Sequence, residues 1–185
     1  TRRVEIYKNP PKNIVTNLAK HFEIADLNKL YEFINDDNTR CIALVNDQSS
    51  EVLGFSLFKW LPSTSIYSRF KDKEICDFIR TAYVGRIVHL GGIFGSKETM
   101  SILFTETLTY SLGKDYTFMI YSNETMSEQN TILEEIVTLS GFNTIPHSDS
   151  IYYVNMSNPC TLNLDLENFI KEPFLNNIKT QAVIE

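Results

Sequence analysis

The sequence predicts an α+β domain in which seven short strands alternate with helices. Runs of apolar or alternating residues, typical of strands, are separated by segments in which apolar residues recur at helical spacing. Over residues 86–142 the pattern reads strand, helix, strand, helix, with one tight turn after the first strand. Nearer the start, two strand-length runs at 40–46 and 51–61 are joined by a short polar turn, which predicts a hairpin.

The composition is that of one globular domain. The chain has 185 residues, of which 43% are hydrophobic and 22% charged, and a chain of this length can bury a substantial core. The formal net charge is −6, and no run of Lys and Arg forms a basic patch, so we expect no nucleic-acid partner. No apolar run could span a bilayer and the first residues lack a signal-peptide core, so we expect no membrane association.

The cysteines are Cys41, Cys76 and Cys160. Their wide spacing and odd number fit neither a disulfide framework nor a zinc site. We therefore expect free thiols, no metal and a reducing, cytoplasmic location. The chain begins without methionine and ends in an open pattern at QAVIE, from which we expect a fragment of a longer protein.

The first half of the chain predicts one strand, two helices and the hairpin. Arg2–Tyr7 alternates charged and apolar side chains, as does a strand with one wet face. Helices are expected over 12–21 and 26–35, the second capped by Asp26. In the second hairpin strand, Gly54 indicates a bulge or a close approach of another backbone.

The segment 62–84 separates the hairpin from the next strand. It mixes charged and aromatic residues, and Ile75, Phe78 and Ile79 indicate a short amphipathic helix. Its aromatic side chains have two interpretations. They cover one face of the sheet, or they form the wall of an acceptor pocket or a contact between subunits.

The second half begins with a strand at 86–94 that leads into a helix. We expect Ser96 to cap this helix and Gly113 to end it. Residues 116–121 are apolar throughout, which predicts a central strand with both faces covered. The remaining elements are a helix that ends at Gly141 and strands at 142–145 and 151–156.

This order of elements resembles the GNAT (general N-acetyltransferase) superfamily over residues 2–156. One local match is the apolar strand 86–94 leading into a helix. The other is Asn130, Leu133, Val137 and the pair 141–142, which keep the spacing of N-x-x-A-x-x-x-Y-x-x-x-G-F, common in a later helix of that family. The resemblance implies a mixed, mostly antiparallel sheet of about seven strands with helices on both faces.

The domain organisation follows from this resemblance. A GNAT-like domain is expected at 1–156, with 62–84 inserted between strands. Residues 157–185 are expected to form a C-terminal helical extension, because apolar residues recur at helical spacing from Asp165. This extension would lead to a further domain if the chain is a fragment.

The resemblance also implies an acyl-CoA ligand, here acetyl-CoA. In the family the pantetheine arm pairs with the end of the strand that corresponds to 86–94, and the following loop and helix N-terminus hold the pyrophosphate, because unpaired amides and the helix dipole favour anions. This loop is shorter here and has one glycine, and Glu98 in the first turn would repel a pyrophosphate. An ordinary capped helix is therefore the alternative. The binding residues that the resemblance implies are Gly92, Ile93, Phe94, Gly95, Ser96, Lys97, Glu98 and Asn130.

The family's usual general acid is missing. Val137 occupies the position of the helix tyrosine and cannot donate a proton, and we expect it to face the place where the CoA thiol would lie. The strand 86–94 holds no carboxylate base, and His89 is its only side chain that titrates near neutral pH. His89 is thus the candidate base, with a structural role as the alternative, and Tyr121 or Tyr110 is the candidate acid.

Two functions are compatible with these observations. The first is an acyl-CoA-dependent N-acetyltransferase acting on a small-molecule or lysine amine, with a cationic acceptor favoured by the acidic surface. The second is a non-catalytic GNAT-fold sensor or interaction domain of a larger protein, favoured by Val137 and by the missing glycines. Whether the chain is an enzyme stays open on the sequence, and a homodimer or a fused domain is the further partner expected.

Overall fold

The computed structural model describes residues 1–20, 24, 27–62, 72–82, 85–122, 128–146, 148–156 and 178–184. The strands in these ranges are β1 (Arg2–Tyr7), β2 (Thr39–Asn46), β3 (Val52–Pro62), β4 (Arg86–Phe94), β5 (Phe118–Ser122), β6 (Asn143–Thr144), β7 (Ile151–Asn155) and β8 (Ile178–Ile184). The helices are α1 (Lys12–Ala19), α2 (Leu27–Ile34), α3 (Lys73–Ala82), α4 (Lys97–Gly113) and α5 (Glu128–Leu139).

The strands form a mixed sheet in the order β6-β7-β5-β4-β3-β2-β1-β8. The pairs β1–β2, β5–β7 and β6–β7 are antiparallel, whereas β4–β5 and β1–β8 are parallel. The predicted α+β class with a mixed, mostly antiparallel sheet is confirmed. The seven strands expected from the sequence all occur, and β8 is an eighth.

The C-terminal extension differs from the prediction. The helix expected from Asp165 lies outside the described residues, as does the expected cap Asp26. The part that is described, Ile178–Ile184, is strand β8 rather than helix, and it pairs with β1 from Arg2 to Tyr7. Because β2 occupies only one edge of β1, the other edge offers backbone donors and acceptors that β8 satisfies.

The end of α4 also differs in detail. Gly113 is the last helical residue, as predicted, but the left-handed residue is Asp115, with φ 64°. The N–H of Tyr116 donates to the carbonyl of Ser111 at 2.9 Å, and that of Asp115 donates to Leu112 at 3.0 Å. These two bonds form a Schellman motif, in which an Asp takes the position that glycine usually occupies.

The chain divides into two compact units. The first comprises Thr1–Phe58, Gly92–Thr107 and Leu166–Glu185, and the second comprises Lys59–Gly91 and Leu108–Asp165. In the first unit, α1 and α2 pack their apolar faces on one side of the strands. This core consists of Tyr7, Ile14, Leu18, Leu30, Ile34, Cys41, Ala43, Val45, Phe55, Leu57 and Phe94.

The N-terminal half of α4 packs on the opposite side of β3 in the first unit. Ser56 and Thr107 share a buried hydrogen bond of 2.6 Å between their hydroxyls. A Cβ on Gly54 would lie 2.4 Å from the carbonyl oxygen of Phe94 and 2.5 Å from Cγ2 of Thr99. The close backbone approach predicted at Gly54 is therefore confirmed.

The second unit also carries helices on both faces of its strands. Helix α3 packs against β4, β5 and β7 in a cluster of Ile75, Cys76, Ile79, Ile87, Phe118, Ile120, Ile145 and Ile151. Helix α5 contacts the other face, where Glu134 accepts a hydrogen bond from Tyr152. Phe78 on α3 packs against this cluster, so for this aromatic side chain the first interpretation, that it covers one face of the sheet, is confirmed. The aromatic residues Tyr67 and Phe70 lie outside the described residues.

Two further expectations concern metals and membranes. In the described ranges, no three His, Cys, Asp or Glu side chains are grouped so that they could hold a metal ion. None of the helices given above is both long and apolar enough to cross a membrane. Cys41 and Cys76 are buried free thiols, as predicted, and Cys160 lies outside the described residues.

Candidate functional site

The end of β4 belongs to the first unit. Gly92 and Ile93 are buried there, and a Cβ on Gly92 would lie 3.1 Å from the ring of Phe94. The Phe94 side chain is part of the core under α1 and α2. Any contact that these residues make with a ligand would therefore come from their backbone groups.

The N-terminus of α4 follows directly. The Ser96 hydroxyl accepts a hydrogen bond from the Thr99 N–H at 3.2 Å and donates to the Thr99 hydroxyl at 3.0 Å. The predicted N-cap is therefore confirmed, and this hydroxyl is already engaged within the protein. Lys97 and Glu98 are half-buried in the first turn.

Gly95 makes the sharp turn between β4 and α4. Its φ is 142°, a conformation that other residues rarely adopt, and a Cβ would lie 2.9 Å from Cγ2 of Thr99 and 3.1 Å from the carbonyl oxygen of Leu53. The single glycine kept in this loop is therefore explained by the backbone turn and the close packing.

The second unit contains the candidate acid, Tyr121. In the register of β4 and β5, Ile87 pairs with Phe118 and Leu90 pairs with Tyr121, which is the last pair of this ladder. The Tyr121 side chain has 0% exposure, and its hydroxyl has no hydrogen-bond partner in the described part of the chain. Burial, together with the charge of Glu134, raises the pKa of Tyr121 well above its usual value. The group is therefore a neutral phenol at physiological pH, able to donate a hydrogen bond.

Two residues that the sequence reasoning missed adjoin Tyr121. Tyr152 lies directly opposite it in the antiparallel register, and the two rings stack with centroids 6.2 Å apart. The Tyr152 hydroxyl donates to the carboxylate of Glu134 on α5. Burial and this bond raise the pKa of Tyr152 to about 12. The sequence signal is weak, because Glu134 is simply a polar residue beside the buried stripe of α5.

The alternative acid, Tyr110, has a different environment. Its ring stacks on Trp60 at 5.2 Å, and Trp60 in turn stacks on Tyr116 at 4.7 Å. Trp60 also donates from Nε1 to the Ser111 hydroxyl at 3.2 Å. These contacts make Tyr110 part of a packed aromatic group at the end of α4, so Tyr121 is the stronger candidate.

The candidate base, His89, is half-buried on β4 and pairs with Ile120. Since side chains alternate along a strand, His89 shares the face of Ile87 and Ile120, which is the face covered by α3. Tyr121 and Leu90 lie on the other face. The structure therefore does not bring the two candidate catalytic side chains together on one face of the sheet.

Val137 has 0% exposure, and so does Leu133, while Ile136 has 1%. The burial expected for this helical face is confirmed. That Val137 faces the thiol of coenzyme A stays a prediction. The N–H of Phe142 donates to the Val137 carbonyl at 3.0 Å, and Gly141 is left-handed with φ 97°. The spacing of Val137, Gly141 and Phe142 is thus explained by the Schellman motif that ends α5. The Asn130 side chain lies outside the described residues.

No family model matches the sequence, and no curated protein matches it. Solved structures do match. Arabidopsis thaliana NAA60 in complex with acetyl-CoA has a TM-score of 0.52 and 13% identity, covering 85% of this chain and all of that one, 100%. FeeM, an N-acyl amino acid synthase from uncultured soil microbes, has a TM-score of 0.57 and 16% identity, covering 92% of this chain and 99% of that one.

A third solved structure is the Drosophila melanogaster polyamine N-acetyltransferase that forms N-acetylagmatine. Its TM-score is 0.57 with 10% identity, and it covers 84% of this chain and 100% of that one. At these identities the similarity is one of fold. The chain has a GNAT-like acetyltransferase fold, and the resemblance drawn from the sequence is confirmed at this level.

Proposed function

We propose that this protein is an acyl-CoA-dependent N-acetyltransferase that transfers an acetyl group to an amine. The observation that supports this best is the hydroxyl of Tyr121, which is fully buried, protonated and without a partner in the described residues. Leaving such a hydroxyl unsatisfied costs about 1–3 kcal/mol. A ligand that displaces the groups covering this hydroxyl and accepts its hydrogen bond would offset this cost. The fold is shared with a protein solved in complex with acetyl-CoA.

The acyl donor would be held largely by backbone groups. The amides in the first turn of a helix have no partners within the helix and favour an anion such as a pyrophosphate. Lys97 adds a positive charge in that turn, whereas Glu98 opposes anion binding, so we expect weaker affinity than a glycine-rich loop would give. The residues that we assign to the donor are Gly92, Ile93, Phe94, Gly95, Ser96, Lys97, Glu98 and Asn130.

In the transfer step, the amine nitrogen attacks the acetyl carbonyl carbon. The C–N bond forms and the C–S bond breaks, so the nitrogen loses one proton and the departing sulfur gains one. We assign Tyr121 as the group that donates a proton to sulfur. Because His89 lies on the opposite face of the sheet, the nitrogen releases its proton to water rather than to His89. The net charge of −6 favours a cationic acceptor, and one protein of similar fold acts on polyamines.

Titration calorimetry and thermal melting with acetyl-CoA test this proposal. A true ligand must raise the melting temperature by mass action. Tyr121→Phe should bind more weakly than the wild type. A matched control is Tyr153→Phe, because Tyr153 lies on the same strand as Tyr152 and stacks on Phe118 on the opposite face. If acetyl-CoA produces neither heat nor a thermal shift at large excess, the proposal is wrong.

The second candidate is a GNAT-fold binding or sensor module without catalysis. Two observations favour it: Val137 is ordinary core at the position of the family's acid, and the Ser96 hydroxyl is engaged in capping α4. Such a module would not acetylate any amine, whether or not it binds acetyl-CoA. A radiolabelled acetyl transfer assay with spermidine, agmatine and a lysine peptide distinguishes the two, since labelled product requires catalysis.

A further inference from the structure

Tyr121 and Tyr152 form a pair of opposite character. They are cross-strand neighbours with stacked rings, and both are nearly or fully buried, at 0% and 7% exposure. The Tyr152 hydroxyl is bonded to Glu134, whereas the Tyr121 hydroxyl has no partner in the ranges that the structure describes. The two phenols thus differ in whether their hydroxyl has a hydrogen-bond partner among the described residues.

Glu134 connects this pair to α5. It is half-buried, and it lies 18 residues before Tyr152 in the chain. Its bond to Tyr152 joins the helix to β7, and the stacking then joins Tyr152 to Tyr121. A hydrogen bond to a carboxylate is stronger than one between neutral groups, so this connection holds the Tyr152 ring in one orientation.

We propose that Glu134 and Tyr152 are positioning residues, which hold the ring of Tyr121 so that its hydroxyl can donate to the sulfur of coenzyme A. Without a ligand this hydroxyl is enclosed by the protein, so coenzyme A would displace the groups that cover it. This inference rests on the proposed function. Neither residue touches the reacting atoms in this scheme, and both act through Tyr121. The charge of Glu134 also helps to raise the pKa of Tyr121, which keeps the donor protonated.

The test is a double-mutant cycle read as the dissociation constant of coenzyme A and of desulfo-coenzyme A, which lacks the sulfur. Tyr121→Phe should weaken coenzyme A about tenfold, the value of one hydrogen bond, and leave desulfo-coenzyme A unchanged. Tyr152→Phe should weaken coenzyme A by about threefold to fivefold. In the Tyr121→Phe background, Tyr152→Phe should cause no further loss, because the hydroxyl that it positions is gone.

Two variants of Glu134 refine the cycle. Glu134→Gln keeps an oxygen that can accept from Tyr152 and should keep most of the affinity for coenzyme A. Glu134→Ala removes the acceptor and should behave like Tyr152→Phe. The control Tyr153→Phe should leave both dissociation constants unchanged.

The outcomes separate the two proposals. If the wild type binds neither compound, the proposed function and this inference both fall. If the wild type binds, but Tyr152→Phe weakens both compounds equally or still weakens coenzyme A in the Tyr121→Phe background, its role is structural. The positioning role is then overturned, while acyl-CoA binding stands.

Discussion

Replacing Tyr121 by Phe should stabilise the protein in the absence of any ligand. The ring of Tyr121 keeps its stacking on Tyr152 in this variant, and only the hydroxyl is removed. That hydroxyl has 0% exposure and no partner among the described residues, so its removal relieves a desolvation cost of about 1–3 kcal/mol. The small void left by one oxygen opposes this by only about a few tenths of a kcal/mol.

The gain corresponds to a higher melting temperature, by roughly 2–4 °C per kcal/mol for a chain of this size. Tyr152→Phe is the matched control, with the opposite sign. It removes a hydroxyl that is bonded to Glu134, so the free energy of unfolding should fall by about 1–2 kcal/mol. The same Tyr-to-Phe change is therefore expected to stabilise the protein at Tyr121 and to destabilise it at Tyr152.

Urea denaturation of the three proteins without ligand measures these changes. The comparison is valid if the slope of the free energy against urea is the same in all three. If Tyr121→Phe loses as much stability as Tyr152→Phe, the Tyr121 hydroxyl has a partner in the folded protein. The argument that it awaits a ligand would then be wrong, and with it the main support for the proposed acid.

Three further predictions concern the helix ends and the core. Val137→Tyr should cost about 1–3 kcal/mol and lower the melting temperature, because Val137 has no exposed surface into which a larger ring could extend; an unchanged melting temperature would show that an open space adjoins it. Gly95→Ala should cost about 1–3 kcal/mol because of its φ of 142°, whereas Gly113→Ala, with nothing within 4 Å of the added Cβ, should be neutral or stabilise by up to about 1 kcal/mol; equal melting temperatures for these two variants would contradict the strain argument. Burial raises the pKa of the Cys41 thiol from 9.0 to about 12. The unfolded chain therefore loses this proton at lower pH than the folded protein does, and the free energy of unfolding should fall between pH 9 and 12, by up to about 1.4 kcal/mol per pH unit. Cys41→Ala should reduce this pH dependence in urea denaturation, and an identical slope would rule out the thiol as its source.

Local pattern and local hydrogen bonding were readable from the sequence. The alternation of Arg2–Tyr7 and the unbroken apolar run before Tyr121 predicted strands that the structure contains. Ser96 was identified as a cap because a cap bonds to an amide three residues away. Such features depend on neighbours within one turn or one strand, so the residue order alone specifies them.

The properties of the candidate site depended on the tertiary structure. Whether His89 and Tyr121 share a face of the sheet depends on strand register, and a shift of one residue between β4 and β5 would place them on the same face. The bond between Glu134 and Tyr152 joins a helix to a strand that follows it, and nothing in either local pattern specifies that pairing. Strand β8 formed where the sequence indicated a helical extension, because the free edge of β1 is a property of the assembled sheet. The sequence therefore determined the elements and their order, whereas packing between distant segments decided which tyrosine was left without a partner.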